Sequence, residues 1–364
     1  MPLHTKAYVN RFTKQIGIPT LIVTILCVLY IAFTLNRNNG DPLAFVIYDG
    51  HYSYQIAYRL FGEEALIPDN YFFREAIPNA YRFQRILYPF LARLLAANQP
   101  ALIPWTLILI NIMAIALGTW VIERLLSYHN TSHWYAIVYG LYAGNLVALR
   151  SDMNEPLAQA LVMVAIWSWI QQKYPQSFIS FALALLTKET ALLFIAAYGL
   201  HSLIERQWRN AFGFGLSIIP YAIYQLLLFY WLGEYGVTSG EGLTWIPVGS
   251  WLGLTQFSMK VFLILSIAIV PIAILPTVFG FLISLRAIKQ GFYHPYTFAI
   301  LFNAIFILFL PPLTFRESSA LIRVVQGLAI SLLLFGALTR SGRILNYSVL
   351  WLFANVITLS GVPE

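Results

Sequence analysis

Residues 45–61 read FVIYDGHYSYQIAYRLF, and residues 81–96 read YRFQRILYPFLARLLA. In these two stretches a carboxylate, several arginines and many tyrosines occur together, whereas most of the chain consists of apolar runs. Both stretches lie in a long loop, 36–101, between the first two apolar runs. A lipid bilayer accounts for apolar runs of about 20 residues, but it does not account for this loop. We therefore expect the loop to carry the functional site of the protein.

The composition is typical of a membrane protein. Of the 364 residues, 59% are hydrophobic and 10% are charged, and the mean hydropathy is +0.70. These values exclude a soluble domain and predict an all-α polytopic membrane protein in which residues 1–364 form one transmembrane domain. The net charge is +7, but the positive residues are scattered and form no basic block, so we expect no nucleic-acid partner.

Apolar runs bounded by polar residues are the candidates for transmembrane segments, and we predict about 11 of them. The two shortest neighbours, 177–187 and 190–204, are separated only by Thr-Lys-Glu-Thr at 187–190. Because a span needs about 20 apolar residues, this pair forms either one helix or a hairpin. The runs are 18–35, 102–122, 133–149, 155–171, 177–187, 190–204, 211–232, 259–285, 295–311, 319–339 and 345–361.

The distribution of charge favours the hairpin. A hairpin collects 11 basic residues on one side with only two acids, Glu123 and Glu205, and leaves the other 13 of the 15 acids on the opposite side. Since Lys and Arg accumulate in cytoplasmic loops, we expect a multi-pass protein of the cell membrane with an uncleaved first span and a cytoplasmic N-terminus. The basic residues are Lys6, Arg11, Lys14, Arg124, Lys173, Arg206, Arg209, Arg286, Lys289, Arg340 and Arg343.

The short hairpin also predicts a cavity. A helix of 11 residues is about 16 Å long, about half the thickness of the hydrocarbon layer. Lys188 and Glu189 should therefore lie in a recess below the extracytoplasmic surface. Charge at that depth is tolerated where it lines a watery or protein-enclosed cavity.

The loop 36–101 contains two amphipathic segments, 52–61 and 82–97, in which apolar residues recur at helical spacing. Both are too short and too charged to span a membrane, so we expect two interfacial helices. Residues 62–81, with Pro68 and Pro78, would connect them as a loop. A second large outer loop, 233–258, is rich in Gly and Trp and is predicted to be a lid or a lipid-facing rim.

Asp49 is the first candidate for chemistry, because it precedes Gly50 at the start of the first interfacial helix. An ionised carboxylate at this place can act as a general base on a hydroxyl group. It can equally well be a helix N-cap, since Asp is among the best capping residues.

Basic residues near Asp49 are candidates for binding phosphate. Arg82 and Arg85 are three residues apart on one helix face, and a guanidinium fork suits phosphate oxygens. The alternative for each is contact with lipid headgroups, to which we assign Arg93. Arg323, near the outer end of the run 319–339, is expected to face a cavity where it could meet an anionic lipid head.

Acidic residues form the remaining polar candidates. Asp152 and Glu155 start a helix, where acids are favoured, so capping is expected for one of them. Lys188 and Glu189 either face the cavity or form an ion pair with each other that holds the hairpin. A divalent metal on Asp49 and His51 with one of the acids is possible but not favoured, because the spacing does not turn both side chains to one ion.

Five stretches, taken in order, resemble one enzyme family: YDGHYSYQIA, YRFQRILYPFLARLLA, LRSDMNEPLAQAL, ALLTKETALLF and LIRVVQGLAISLLL. They are similar to bacterial integral-membrane glycosyltransferases of the GT-C fold, in the style of mannosyltransferases of the glycosylphosphatidylinositol type. The likeness covers residues 45–200 and 316–335. It implies a helical bundle with two interfacial helices in the first outer loop.

The resemblance also implies a reaction. Asp49 matches the catalytic carboxylate, and the sugar would come from a polyprenyl-phosphate donor and pass, with inversion, to a hydroxyl of a glycan, lipid or protein acceptor outside the cytoplasm. Arg82, Arg85, Lys188 and Arg323 would bind the donor phosphate without a required cofactor. The residues expected to bind sugar or acceptor, or to support the basic groups, are Tyr48, His51, Tyr88, Asp152, Glu155 and Glu189. The alternative is a transporter or flippase of a lipid-linked or anionic substrate, although the chain lacks the internal repeat that transporters often show.

Overall fold

The computed structural model describes residues 17–59, 80–97, 99–256 and 258–356. Within these ranges the chain is helical and contains no β-strand. Three groups of predictions lie outside the described residues: the basic residues Lys6, Arg11 and Lys14, almost all of the connecting segment 62–81, and the end of the last apolar run at 357–361.

The helices are named here in chain order. They are α1 Ile18–Arg37, α2 Gly50–Arg59, α3 Ala80–Phe83, α4 Leu87–Leu95, α5 Ile103–Tyr128, α6 Ala136–Gly140, α7 Ala143–Arg150, α8 Glu155–Ile170, α9 Tyr174–Thr187, α10 Leu192–Ile204, α11 Trp208–Leu232, α12 Gly249–Gly253, α13 Met259–Ile269, α14 Leu275–Lys289, α15 Pro295–Leu308, α16 Pro312–Arg316, α17 Ser318–Leu338 and α18 Gly342–Val349.

Five helical stretches among the described residues are long and apolar enough to cross a membrane, so the chain has the character of a helical membrane protein. They are Ile18–Arg37, Pro100–Tyr128, Trp208–Leu232, Phe262–Lys289 and Ser318–Leu338. The runs 155–171, 190–204 and 295–311 form shorter apolar helices. The predicted class is therefore confirmed, whereas the expected number of 11 spans stays a prediction.

Exposed aromatic side chains mark both ends of two long helices. In α11, Trp208 is 66% exposed and Tyr230 is 92% exposed, and the 22 residues between them rise by about 33 Å. In α5, Trp105 and Tyr128 are also exposed and are separated by a similar rise. Because Trp and Tyr concentrate at the two membrane surfaces, about 30 Å of hydrocarbon apart, these positions agree with a membrane-spanning bundle.

The run 133–149 does not form the single helix that its hydropathy predicts. It forms α6 and α7, separated at Leu141 and Tyr142. A side chain satisfies one backbone carbonyl at this break, because Asn145 Nδ2, in α7, donates to the Tyr139 carbonyl at 2.7 Å. The Tyr142 hydroxyl in turn donates to the carbonyl of Ile322 in α17 at 2.9 Å. Such a break is tolerated inside a membrane protein where other side chains replace the lost helical bonds.

The chain reverses direction between α9 and α10. Trp169, near the end of α8, lies 5.2 Å from the ring of Tyr198 and 5.7 Å from the ring of His201, measured between centroids, and both partners belong to α10. Lys188, at the end of α9, contacts Glu155 at the start of α8. The end of α10 therefore lies far from Lys188, as the hairpin interpretation of 177–204 predicts. At 14 residues α9 is about 21 Å long, shorter than a complete span.

The first loop folds back onto the bundle. Helices α2 and α4 pack against each other and against α5 through a buried cluster that includes Tyr54, Tyr88 and Leu107. The predicted second interfacial helix, 82–97, is interrupted and forms α3 and α4. The assignment of Arg93 to lipid headgroups is wrong, because this residue is only 3% exposed. Position 93 faces into the packed loop rather than outward.

Candidate functional site

Asp49 lies in a tight turn that ends where α2 begins. The turn rests on residues 150–152: a Cβ atom added at Gly50 would come within 1.8 Å of the Ser151 carbonyl oxygen, so only glycine fits there. Arg150 Nη1 donates to the carbonyl of Ala44 at 2.5 Å and holds the preceding segment. These contacts fix the backbone at Asp49 against the turn that precedes α8.

The Asp49 carboxylate faces two arginines. Its Oδ1 atom lies 2.6 Å from Arg82 Nη1, and its Oδ2 atom lies 3.4 Å from Arg323 Nη1. Burial by itself would raise the pKa of Asp49, but the charges of Arg323 and Arg82 outweigh it and hold the pKa below its usual range. The N-cap interpretation of Asp49 is therefore not supported, since both of its oxygens face guanidinium groups.

Glu155 joins the two deepest cations. Its Oε1 atom accepts from Lys188 Nζ at 2.6 Å and from Arg323 Nη1 at 2.7 Å, and the side chain is 1% exposed. Among the described residues, its Oε2 atom has no hydrogen-bond partner. Glu155 lies in the first turn of α8, as predicted, but neither acid caps the helix. The N-cap residue is Asn154, Glu155 pairs with cations, and the Asp152 oxygens have no hydrogen-bond partner among the described residues. Burial of the cations explains the difference, because a buried cation needs a counter-charge.

A second ion pair closes the other side of the cluster. Arg85 Nη2 and Nε donate to the two Glu189 oxygens at 2.5 and 3.0 Å, and Arg85 also donates to the Tyr81 hydroxyl at 2.7 Å. The alternative in which Lys188 and Glu189 pair with each other is wrong. Each takes its partner from another part of the chain, because the turn after α9 points the two side chains to different neighbours.

Asp49, Arg82, Arg85 and Arg323 line a small cleft that is open to solvent, whereas Glu155, Lys188 and Glu189 do not line it. Arg82 stacks on two rings there, with its guanidinium carbon 4.5 Å from the Tyr52 centroid and 5.1 Å from the Tyr81 centroid. The cleft is lined by Asp49, Tyr52, Ser53, Ile56, Arg82, Arg85, Met153, Asn154 and Arg323.

Sequence reasoning did not identify four polar residues at or beside the cleft, Tyr52, Tyr81, Ser53 and Asn154, or the apolar lining residues Ile56 and Met153. A signal existed for two of them. Tyr52 follows Asp49 by three residues, and Tyr81 precedes Arg85 by four, and these are the spacings at which side chains are neighbours in a predicted helix. The positions of Ser53 and Asn154 depend on tertiary packing.

The cluster carries one more cation than carboxylate. Three cations and two carboxylates form one chain of ion pairs. The Arg85–Glu189 pair is linked to this chain through the Tyr81 ring, which contacts both Arg82 and Arg85. The excess charge is +1 when all seven groups are ionised. The cations are Arg82, Arg85, Lys188 and Arg323, and the carboxylates are Asp49, Glu155 and Glu189. Such a site suits an anion, because its excess positive charge is not balanced by a carboxylate and guanidinium groups form strong charge-assisted bonds with anions.

Four predicted site residues do not join this cluster. Tyr88 is fully buried and donates to the Leu107 carbonyl at 3.1 Å, while its oxygen accepts from Asn111. His51 is buried in α2, and Tyr48 is exposed and lies near the charges of Glu317 and Arg150. The packing of α2 and α4 onto α5 turns His51 and Tyr88 away from the cleft.

Asp152 is the fourth. It is completely buried and lies in the left-handed backbone region, with φ of +46°. Neither carboxylate oxygen has a hydrogen-bond partner among the described residues. Burial raises the pKa of Asp152 well above its usual range, although Arg150 acts in the opposite direction. Burial thus disfavours the charged form of Asp152, whereas the neighbouring arginines favour the charged form of Asp49.

Within the described part of the chain, no three His, Cys, Asp or Glu side chains gather as a metal site would require. Asp49 and His51 in particular do not converge with a third ligand. No protein-family model, no curated protein sequence and no solved structure matches this chain.

Proposed function

We propose that the protein is a membrane glycosyltransferase of the GT-C fold that moves a sugar from a polyprenyl-phosphate donor to an acceptor hydroxyl, with inversion. The observation that carries the proposal is the contact of Asp49 with Arg82 and Arg323 at a cleft that holds an excess of positive charge. A carboxylate beside clustered guanidinium groups can serve both the acceptor hydroxyl and the donor phosphate.

In the proposed reaction, Asp49 accepts the proton of the acceptor hydroxyl as its oxygen attacks the anomeric carbon. The bond between that carbon and the phosphate oxygen breaks, and the polyprenyl phosphate leaves with the electron pair and one further negative charge. Cations fixed in a site with little water stabilise that charge strongly. Arg82, Arg85, Lys188 and Arg323 are the residues assigned to this role, and with them the reaction requires no divalent metal.

The charge of the cluster supports a monophosphate donor. A sugar linked through one phosphate carries a single negative charge, which the excess of +1 balances. A diphosphate-linked sugar carries two, so one would remain uncompensated in a partly buried site, which is costly. We therefore expect the protein to use a polyprenyl monophosphate sugar in preference to a polyprenyl diphosphate sugar.

The location follows from the charge of the loops. If the bundle has the 11 proposed spans, the positive-inside rule puts the cleft on the extracytoplasmic side. A polyprenyl chain would stay in the lipid while its phosphate reached the recess formed by the short hairpin α9 and α10. The acceptor would be a glycan, a lipid or a protein on the same side.

The test is an assay of the purified protein in lipid nanodiscs with labelled polyprenyl-phosphate sugars and simple sugar acceptors. The expected result is a new glycosidic product together with released polyprenyl phosphate, and weaker turnover of diphosphate-linked donors. Failure to consume any donor would contradict the proposal. Movement of intact donor across a proteoliposome membrane without a new bond would favour the transport alternative.

A further inference from the structure

We propose that Arg82 masks Asp49 until the donor binds, and that the donor phosphate unmasks the carboxylate by drawing Arg82 away. This inference rests on the proposed function and adds an order of events to it. The donor must bind before the base can act on an acceptor.

The two arginines on Asp49 are not equivalent. Arg323 Nη1 lies 2.7 Å from Glu155 but 3.4 Å from Asp49, and Arg323 Nε donates to the carbonyl of Ser319 at 3.1 Å. Its main partners are therefore in α8 and in its own helix. Arg82 Nη1 lies 2.6 Å from Asp49, which is the shorter of the two arginine contacts.

Arg82 is also the arginine that can move. Its side chain is 24% exposed, compared with 9% for Arg323, and it belongs to the four-residue helix α3 rather than to a long span. The rings of Tyr52 and Tyr81 both contact the guanidinium group at the cleft. A rotation over these rings would exchange the carboxylate for a phosphate in the cleft while the stacking is kept.

The exchange changes what Asp49 can do. In the empty site both of its oxygens face guanidinium groups, so the carboxylate is a weak proton acceptor. The charged groups around it are Arg82 from α3, Arg85 from the following turn, Arg323 from α17 and Glu155 from α8. When an anion binds Arg82, Asp49 loses the attraction of that guanidinium group but still feels the repulsion of Glu155. The basicity of Asp49 therefore rises.

The test compares pH profiles. The profile of kcat/KM for the donor reports the enzyme without donor, and the profile of kcat reports the complex. For the wild-type protein we expect the acid limb of kcat/KM to lie at lower pH than that of kcat. In Arg82→Gln the two limbs should coincide, and the donor KM should rise about tenfold, because a charge-assisted bond to phosphate is lost.

Arg59→Gln is the matched control, since Arg59 is an exposed arginine of the same loop and does not line the cleft. Its two limbs should stay separate, as in the wild type. Coincident limbs in the wild-type protein would overturn the inference, and so would separate limbs in Arg82→Gln. Both results require active protein, so they are distinct from a failure of the proposed function, in which no transfer occurs at all.

Discussion

Glu155 is the residue on which the charged cluster depends most. A single buried oxygen serves both Lys188 and Arg323, and these two cations have little contact with water. Removing one member of a buried ion pair leaves an uncompensated charge, which costs more than the pair itself contributes. Glu155 therefore supports the site through the two cations that it holds.

Glu155→Gln should lower the free energy of unfolding by about 3 kcal/mol, because Lys188 loses its counter-charge and Arg323 keeps only its longer contact with Asp49. Adding Lys188→Met should recover part of that loss, since one uncompensated charge disappears. Thermal unfolding in one detergent measures both effects, and Glu241→Gln, at an exposed loop residue, is the control. A Glu155→Gln protein as stable as this control would show that the cluster does not depend on the buried carboxylate.

Asp152 offers a contrast with Asp49, because burial raises its pKa while Asp49 has a lowered one. In an unfolded chain an aspartate ionises near about 3.9, whereas the folded Asp152 stays neutral to higher pH. Its favourable contribution to folding is therefore complete below the unfolded pKa and is lost as the pH rises towards the folded pKa.

The stability of Asp152→Asn relative to the wild type should increase as the pH rises from 4 to 7, because the amide never ionises. Asn also tolerates the positive φ at this position. The measurement is the difference in melting temperature between variant and wild type at the two pH values. A difference that stays constant, or falls, would indicate that Asp152 is ionised in the folded protein.

At the scale of elements, the turn 150–152 and the segment 44–50 form one unit. Gly50 lies against the Ser151 carbonyl, and Arg150 binds the Ala44 carbonyl. The start of α2 and the start of α8 are thereby fixed relative to each other. The packing of these two turns keeps Asp49 near Glu155, so that Arg323 contacts both carboxylates.

Gly50→Ala should therefore reduce both stability and transfer. The new methyl group would meet the Ser151 carbonyl and force the two turns apart, at a cost of about 1–3 kcal/mol. A displacement of about 1 Å at a reacting group reduces turnover by about 100-fold. Gly215→Ala is the control, because it has open space and lies within α11, where Ala favours the helix. Equal behaviour of the two variants would contradict the role of the contact.

Elements differ in how far the sequence predicts them. The hairpin of α9 and α10 could be predicted, because charge in the loops reports orientation directly. The break between α6 and α7 could not, because the bond from Tyr142 reaches Ile322, 180 positions away. The same reason applies to the site: residue type suggested Asp49 and Arg82, but the pairing of Arg323 with Glu155 across 168 positions is a product of the fold.

At the scale of the whole molecule, the described bundle has two chemically different ends. One end carries the cleft and the charged cluster. At the other end His201, in the last turn of α10, lies 6.2 Å from His294 at the start of α15, measured between ring centroids. The cleft end is the extracytoplasmic end in our proposal.

Single cysteines test this orientation, since the native Cys27 is buried. Glu241→Cys lies in the loop beside the cleft, and Lys289→Cys lies at the end of α14. An impermeant maleimide added to intact cells should label the first and should label the second only after permeabilisation. The reverse pattern would place the cleft in the cytoplasm and exclude an extracytoplasmic donor site.

The rate of sugar transfer by Asp49→Asn tests the central claim most directly. The substitution keeps the size of the side chain and removes its ability to accept a proton, so transfer from a polyprenyl-phosphate sugar should fall by about 1,000-fold. Asp41→Asn, an exposed aspartate of the same loop that accepts from the Leu43 amide at 2.9 Å, should keep wild-type activity. If correctly folded Asp49→Asn transfers sugar at close to the wild-type rate, Asp49 is not the base.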